Sequence, residues 1–525
     1  LIPRGLHVFG TKWSFDDVVN YLTFILRYDR EVPSLHRLLA RARGLDYDEL
    51  LRRGNSALDD IENEVRELVR QCLSAGSVDL SKYPEHIRSD VLTILNYARR
   101  VGERMLASDE IGELLNALNG GYADIGPSDE PIFNPEVFPT GRNLHAFDPR
   151  TFPSDFAMKR AGDAVRLMVE KYLREHGKYP EKVAIDIFAA ETIRTKGEPV
   201  AQILHLLGVR LRRKSLWQVE LEPIPLNELG RPRIDVVVTI SGVFRDMFPN
   251  LISLIDRAVK LVADLDEPED MNYVKKHRKG RLRNAPTIFG PPPGEYGVGI
   301  APLIETGAWK SEDELAKVYI FRMGYAYGED IHGMEASDVL TEHLRITDVV
   351  TKIRDTHQFE LMDIDDYYQF YGGLVKAVWY VSGKKPATYW TDTTREFVEV
   401  VDNRLAIRRG MITRMLNPKW INEMLKHGYS GALQVAERFD HTLGLQATTG
   451  DVEEWVWHEL TRRYLMDREV RERIKKVNPW ALKHIAEKLY EAYKRGYWRP
   501  SEEELSVIQD VASETEALIE GGYGE

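Results

Sequence analysis

The sequence predicts an α/β protein with large helical regions: a central parallel, Rossmann-like sheet flanked by helical regions at the N- and C-terminal ends. Three observations carry that expectation. Apolar residues recur at helical spacing before residue 118. Short, nearly continuous apolar runs alternate with helical patterns in the middle, as parallel strands buried on both faces do. Helical periodicity returns from Asn417 onward.

Residues from about 14 to 118 read as mainly helical. Asp59-Asp60-Ile61-Glu62-Asn63-Glu64-Val65-Arg66-Glu67-Leu68-Val69 shows the period, Val91 to Met105 repeats it, and Gly120-Gly121 ends it. Prolines at 127, 131, 135, 139, 149 and 153 then remove donors and break helices. This stretch reads as a linker or a long ordered loop, of a length that is often functional. Lys182–Phe188 reads as a buried strand, Val200–Leu211 as a helix, Leu216–Ile224 as a second strand and Ile234–Ile240 as a third. A helix follows over about Leu251–Leu265, and Ala387–Trp390 is a further strand ending at Thr391-Asp392-Thr393-Thr394. Asn417-Pro418-Lys419-Trp420 and Asn478-Pro479-Trp480 read as helix starts, with Asn as cap and Pro in the first turn. The aromatic stripe over Val452–Tyr464, with Trp455 and Trp457, reads as core packing. The resulting division is a helical region 1–125, an α/β region with long loops 126–410, and a helical region 411–525.

The 525 residues are too many for one core. A hydrophobic fraction of 43% and a charged fraction of 29% describe an ordinary globular protein. A net charge of −12 argues against nucleic acid as a partner. The basic run Lys275–Arg283 is the local exception, and reads as a solvated loop or an anion contact. One cysteine, Cys72, cannot close an internal disulfide. With no secretory signal and no long apolar span in the sequence, the expectation is a cytoplasmic protein without a membrane span. No Gly-x4-Gly-Lys-Ser/Thr pattern occurs, so ATP hydrolysis by that route is not expected. Phe289–Gly299 is rich in Gly and Pro and reads as a structured turn. No His-Glu-x-x-His and no paired Cys motif points to zinc.

Four stretches combine residues able to carry chemistry. In Pro139-Thr140-Gly141-Arg142-Asn143-Leu144-His145-Ala146-Phe147-Asp148, Arg142 offers a fork of donors, Asn143 both donors and acceptors, His145 a near-neutral proton carrier and Asp148 a carboxylate. It reads either as a pocket wall or as a polar connection capped by its own side chains. Ligands bind at strand carboxyl ends in α/β sheets. That selects Ala189-Ala190-Glu191-Thr192 and Ser241-Gly242-Val243-Phe244-Arg245-Asp246, the latter reading as a ligand-carboxylate contact or a local ion pair capping a helix. Asp264–Asp270 packs five carboxylates into seven residues shortly before His277, and oxygen plus imidazole donors suit divalent metals. A solvated charge run is the alternative. Met362–Gly373 is an acidic and aromatic cluster containing Tyr368, preceded by His357.

Several of these stretches, taken together, resemble the large subunit of ATP-dependent tetrapyrrole metal chelatases. That family comprises the cobaltochelatase large subunit and the magnesium chelatase H subunit. Pro139–Pro149, Glu228-Leu229-Gly230-Arg231-Pro232-Arg233-Ile234-Asp235 running into Ser241–Asp246, Leu265-Asp266-Glu267-Pro268, Asn417–Trp420 and Ala447-Thr448-Thr449-Gly450 carry the resemblance. They occur in the family's order from Gly5-Leu6-His7-Val8 almost to the C-terminus. Asp365–Phe370 with Gly372-Gly373 looks more like the cobaltochelatase branch than the magnesium branch. The chain opens on Leu1 without an initiating Met and looks like the C-terminal portion of the family's longer subunits. Their acidic His-Gly-x-x-Glu-Trp segment is absent from it.

The resemblance implies insertion of cobalt into a corrinoid precursor of the hydrogenobyrinic acid diamide type, with magnesium insertion into protoporphyrin IX as the alternative. It implies a tetrapyrrole and a metal ion (Co2+, or Mg2+ in the alternative) as substrates. ATP with Mg2+ would be used by AAA+ partner subunits, and an upstream half of the large subunit would be a further partner. His145, Glu191, Asp246 and Asp266 are then the expected catalytic residues. Arg142, Asn143, Arg245 and Tyr368 are the expected tetrapyrrole contacts, and Asp266, Glu267 and His277 the expected metal ligands. A non-catalytic module that holds tetrapyrrole or docks a partner is a second reading. An unrelated α/β nucleotide-binding enzyme is a third, and lacks its glycine fingerprint.

Overall fold

The computed structural model describes residues 8–29, 31–54, 56–76, 78–127, 131–132, 134–144, 148–215, 219–395 and 397–521. These divide into two compact units, one within residues 7–147 and one from 148 onward.

The first unit is helical, with Phe15–Ile25, Leu35–Ala42, Tyr47–Arg53, Ala57–Ala75, Glu85–Leu106 and Glu110–Leu118. Ser14, Ser34 and Asp46 accept backbone N–H groups at the first three starts. Val18, Leu22, Ile61, Val65, Val91 and Ile94 fill its core. Phe138 is buried in the same core, edge-on to Trp13 and Tyr21. It anchors the segment Pro139–Leu144 to the helices.

The second unit is built on an eight-stranded sheet. Its strands are β1 (Lys182–Ile187), β2 (Asp235–Ile240), β3 (Ile288–Gly290), β4 (Tyr325–Tyr327), β5 (His332–Glu335), β6 (Val349–Arg354), β7 (Ala387–Asp392) and β8 (Glu399–Asp402). The spatial order is β8-β7-β6-β1-β2-β3-β4-β5. The five central strands, β7 to β3 in that order, are parallel, while at the edges β8 pairs antiparallel with β7, β4 with β3 and β5 with β4. The fold is therefore α/β with large helical regions, on a mixed rather than wholly parallel sheet. β1 and β2 pair over their full length, from Lys182 opposite Asp235 to Ile187 opposite Ile240, and every residue of both is buried. Burial on both faces explains their apolar character, and makes each charged residue within them an exception that needs a partner.

Two sequence expectations are corrected. The run over Leu216–Ile224 does not join the main sheet. Its described part, Val219–Pro223, forms an antiparallel hairpin with Val209–Arg213. Val219-Glu220-Leu221-Glu222 alternates polar and apolar, which suits a half-exposed ribbon rather than a strand covered on both faces. Phe289-Gly290 is not a turn but the end of β3. Gly290 is required there, because a Cβ would lie 2.9 Å from the Ile240 carbonyl oxygen of β2.

The C-terminal helices, from Asn403–Thr413 to Glu502–Gly521, share one core with the sheet. Trp420, Trp457 and Trp498 lie in it with Val237, Phe289 and Val350. Asn417 and Asn478 cap their helices, accepting from Lys419 N and Ala481 N at 3.0 Å each. A π-helical turn, Tyr367–Gly372, leads into the helix Gly373–Ser382 and packs on Gly428–Thr449. The contact is close at Gly444, where a Cβ would fall 2.5 Å from the Tyr368 ring, itself fully buried. Gly444→Ala is expected to lower stability by about 1–3 kcal/mol through overpacking. A drop in the thermal unfolding temperature checks it, and an unchanged midpoint would show that the ring can retreat.

Candidate functional site

All five central strands end on the same edge of the sheet, and three carry charged residues to that edge. Asp186 lies next to the end of β1, Lys352 and Arg354 at the end of β6, and Asp392 at the end of β7. The Lys352 ammonium donates to Asp186 Oδ2 at 2.8 Å and lies 3.1 Å from Glu191 Oε2. The Phe188 ring faces it at 3.5 Å. Glu191 sits in the helix Ala189–Arg194, directly after β1, and its carboxylate accepts from Phe188 N at 2.8 Å. The side chain thereby caps the helix that carries it. Arg194, one turn on, forks onto Asp355 at 2.6 and 3.1 Å. Arg354 donates to Asp392 at 2.9 Å and to Glu360 at 2.7 Å. Five carboxylates thus meet three cations along one buried edge.

Burial pushes Glu191 up from an ordinary 4.5 to about 8, against the pull of Lys352. It raises Asp186 as well. Burial alone would lower Lys352, but Asp186 and Glu191 outweigh it and raise its pKa. Nearby, burial opposed by Arg160 leaves Glu198 at about 7. Burial and Asp365 raise Asp366 to about 6. Between 4.5 and 8 the folded chain holds a proton on Glu191 that the unfolded chain has lost, so stability falls as pH rises through that window. Glu191→Gln is expected to flatten that slope, as thermal unfolding at a series of pH values would show. An unaltered slope would mean that Glu191 is ionised in the folded chain.

One strand over, at the end of β2, the Ser241 hydroxyl caps the helix Gly242–Met247, which carries Arg245 and Asp246. Arg245 is buried and donates to the carbonyls of Pro291 (3.2 Å), Pro292 (2.8 Å) and Glu295 (3.1 Å). Its Nε donates to Asp246 at 2.7 Å, and the guanidinium lies over the Tyr296 ring. Arg245 therefore clasps the loop after β3. Asp246 is partly exposed, accepts from the Tyr296 hydroxyl at 2.8 Å, and is held below the usual carboxylate range by the Arg245 fork.

The structure brings Glu191, Arg245 and Asp246 to this common edge and places the other expected residues elsewhere. Glu267 and His277 are at the opposite, amino-terminal edge. Glu267 is gripped by Arg233 at 2.7 and 2.8 Å and by Asn272 at 3.0 Å. His277 lies between Asp235 (2.9 Å) and Glu181 (3.2 Å), and Asp235 also takes Lys182 at 2.5 Å. Asp266 is exposed, with Lys275 at 3.7 Å. Asp266, Glu267 and His277 are thus not assembled as a ligand set, because Arg233 and Asp235 already hold the two better-placed groups. Among the described residues no group of three or more His, Cys, Asp or Glu could hold a metal ion. Tyr368 lies in the core against Gly444 and His441, and among the described residues its hydroxyl has no hydrogen-bond partner.

Arg142 and Asn143 belong to the helical unit. Arg142 folds back onto its own loop, donating to the carbonyls of Pro139 (2.9 Å), Glu136 (2.7 Å) and Phe138 (3.3 Å). Asn143 starts a short strand parallel to Ile125–Gly126. His145 lies outside the described residues. Asp148 caps the turn Pro149–Thr151 and takes both prongs of Arg150. Sequence reasoning missed Asp186, Arg194, Lys352, Arg354, Asp355, Glu360 and Asp392. The available signal was a charge inside an apolar run, as in Ala184-Ile185-Asp186-Ile187 and Val350-Thr351-Lys352-Ile353.

Comparison with known proteins identifies the family of the chain. The profile of the family described as CobN/Magnesium Chelatase matches residues 1–505. The magnesium-chelatase subunit ChlH of Oryza sativa is 34% identical over 99% of this chain and 41% of its own length. The aerobic cobaltochelatase subunit CobN of Pseudomonas aeruginosa is 36% identical over 74% of this chain and 33% of its own length. A solved structure, the catalytic subunit of cobaltochelatase from Mycobacterium tuberculosis, superposes with a TM-score of 0.91 at 35% identity, over 98% of this chain and 45% of that one. The chain spans less than half the length of each of these relatives. Among the described residues no helix is long and apolar enough to cross a membrane.

Proposed function

We propose, from the premise that this chain belongs to the CobN/magnesium chelatase family, that it forms part of a tetrapyrrole-binding chelatase large subunit. The observation that carries this is the match in sequence over 99% of the chain to a magnesium-chelatase subunit and over 74% to a cobaltochelatase subunit, and in structure over 98% to a cobaltochelatase catalytic subunit. The reaction is insertion of a divalent metal ion into a tetrapyrrole, with cobalt and a corrinoid precursor favoured by Asp365–Phe370 and Gly372-Gly373. ATP is consumed by AAA+ partner subunits.

The carboxyl edge of β7, β6, β1 and β2 supplies what such a reaction requires of a protein. Its carboxylates take protons and draw a cation, and Asp246 with Tyr296 offers a partly exposed polar contact beside it. Arg245 keeps the neighbouring loop in place rather than meeting the macrocycle. Arg142 and Asn143 stiffen a loop of the helical unit, and His145 is the residue of that loop left to act as a proton carrier. A fluorescence-quenching titration with hydrogenobyrinic acid diamide or a porphyrin tests the reading. Saturable binding is expected, and absence of binding to either macrocycle would overturn it. Binding without insertion, with AAA+ partners, ATP and the rest of the large subunit supplied, would instead identify a non-catalytic module.

A further inference from the structure

We propose that Asp186, Glu191 and Lys352 form a buried proton-relay site at the carboxyl ends of β1 and β6, with Lys352 as its positioning residue. The inference rests on the chelatase reading above. Insertion replaces two ring N–H protons by one divalent cation, so two protons must leave the closed site for each metal that enters. A relay needs a group that can hold a proton and release it near neutrality, without unfolding the protein around it.

The geometry of these three residues meets that requirement. Two carboxylates lie within 3.1 Å of a single ammonium, and none of the three side chains is more than 4% exposed. Full ionisation would leave one uncompensated negative charge out of water, which is costly, so the cluster retains one proton. Among the described residues the surroundings do not supply the missing positive charge. Arg194 is paired with Asp355, and Arg354 with Asp392 and Glu360. Asp366 adds a further acid. Tyr319 and Tyr367, the phenols on adjoining elements, stay neutral. Thr239 donates to Asp186 at 3.2 Å, and Phe188 N donates to Glu191. The raised pKa of Glu191 agrees with this charge count.

Each relay step conserves atoms and charge. The acid releases its proton to water and becomes a carboxylate. That carboxylate then takes a proton originating from a ring N–H, whose N–H bond breaks while an O–H bond forms and the nitrogen lone pair turns to the metal. Two such cycles discharge two protons for one divalent ion. Lys352 sets the position of this titration, because an ammonium at this distance stabilises the ionised carboxylates.

Infrared spectroscopy of the whole chain across pH 5 to 10 tests the proton-holding claim without any substrate. Asp366 and Glu198 should bleach on the acid side of this range, and the protonated-carboxyl component that bleaches last, on the alkaline side, should vanish in Glu191→Gln, which is nearly isosteric. In Lys352→Met the bleaching should move up by about one pH unit or more, and Lys352→Arg should return it. A band that survives Glu191→Gln unchanged, or that is absent from the wild type, overturns the proposal. The rate of metal insertion against pH, measured with AAA+ partners, ATP and the rest of the large subunit, tests the relay itself. Loss of the corresponding limb in Glu191→Gln is expected, and an identical profile overturns the relay. If the wild type inserts no metal under these conditions the chelatase reading fails, while the infrared result still decides whether the cluster holds a proton.

Discussion

Arg233→Met is expected to lower the unfolding free energy of the second unit by about 3–5 kcal/mol, the range for breaking a buried ion pair on one side. Arg233 is 1% exposed and uses its whole fork. Nε and one terminal nitrogen hold Glu267, and the terminal nitrogens also reach the carbonyls of Leu207 (3.1 Å), Gly208 (2.7 Å) and Ile224 (2.6 Å). Methionine fills comparable space but supplies no donor. It would take the guanidinium donors from three carbonyls, of which Gly208 keeps the Ile224 N–H at 2.9 Å, and from most of a carboxylate, where water has little access. The hairpin, the helix Glu198–Leu207 and the chain entering β2 would lose their common tie. Urea unfolding followed by tryptophan fluorescence measures the shift in midpoint. Arg212→Met, which removes an exposed pair with Glu222, is the control and should cost under about 1 kcal/mol. Equal effects of the two would refute the clasp.

Lys352→Met is expected to be of similar size, about 3–5 kcal/mol at neutral pH, because it strands the one ionised carboxylate of the Asp186–Glu191 pair without its cation. The loss should shrink as pH falls, since each carboxylate becomes neutral on protonation. Adding Asp186→Asn and Glu191→Gln to Lys352→Met should recover most of the stability. That recovery is a coupling between neighbours and not a sum of independent effects. A triple variant no more stable than Lys352→Met would show that the lysine acts through packing alone.

The architecture was legible where one physical rule dominated locally. Asn417-Pro418 and Asn478-Pro479 announce helix starts because a cap needs only neighbouring residues. Asp235–Ile240 announces a strand because both its faces are buried. β6 was not legible, since Lys352 and Arg354 interrupt its apolar run, and the partners that neutralise them come from β1, the helix after it, β7 and the segment after β6 itself. That is also why most of the carboxyl-edge cluster escaped sequence reasoning: its charges are rational only once the strand order is known. The motif Gly230-Arg231-Pro232-Arg233 shows the converse. It was visible and matched the family, yet its arginines brace backbone carbonyls away from the carboxyl edge. A family-like motif located the scaffold there, while Glu191, selected only for following a strand, fell into the charged site.

Reconstituted insertion tests the central claim most directly. The chain, the remainder of its large subunit, AAA+ partners and ATP would be supplied with hydrogenobyrinic acid diamide and Co2+, and in parallel with protoporphyrin IX and Mg2+, while the absorbance of the metallated product is followed. The account predicts ATP-dependent formation of the cobalt product, faster than the magnesium product and slowed by Glu191→Gln. Failure of the complete mixture to insert either metal, with both macrocycles present in excess, would contradict it.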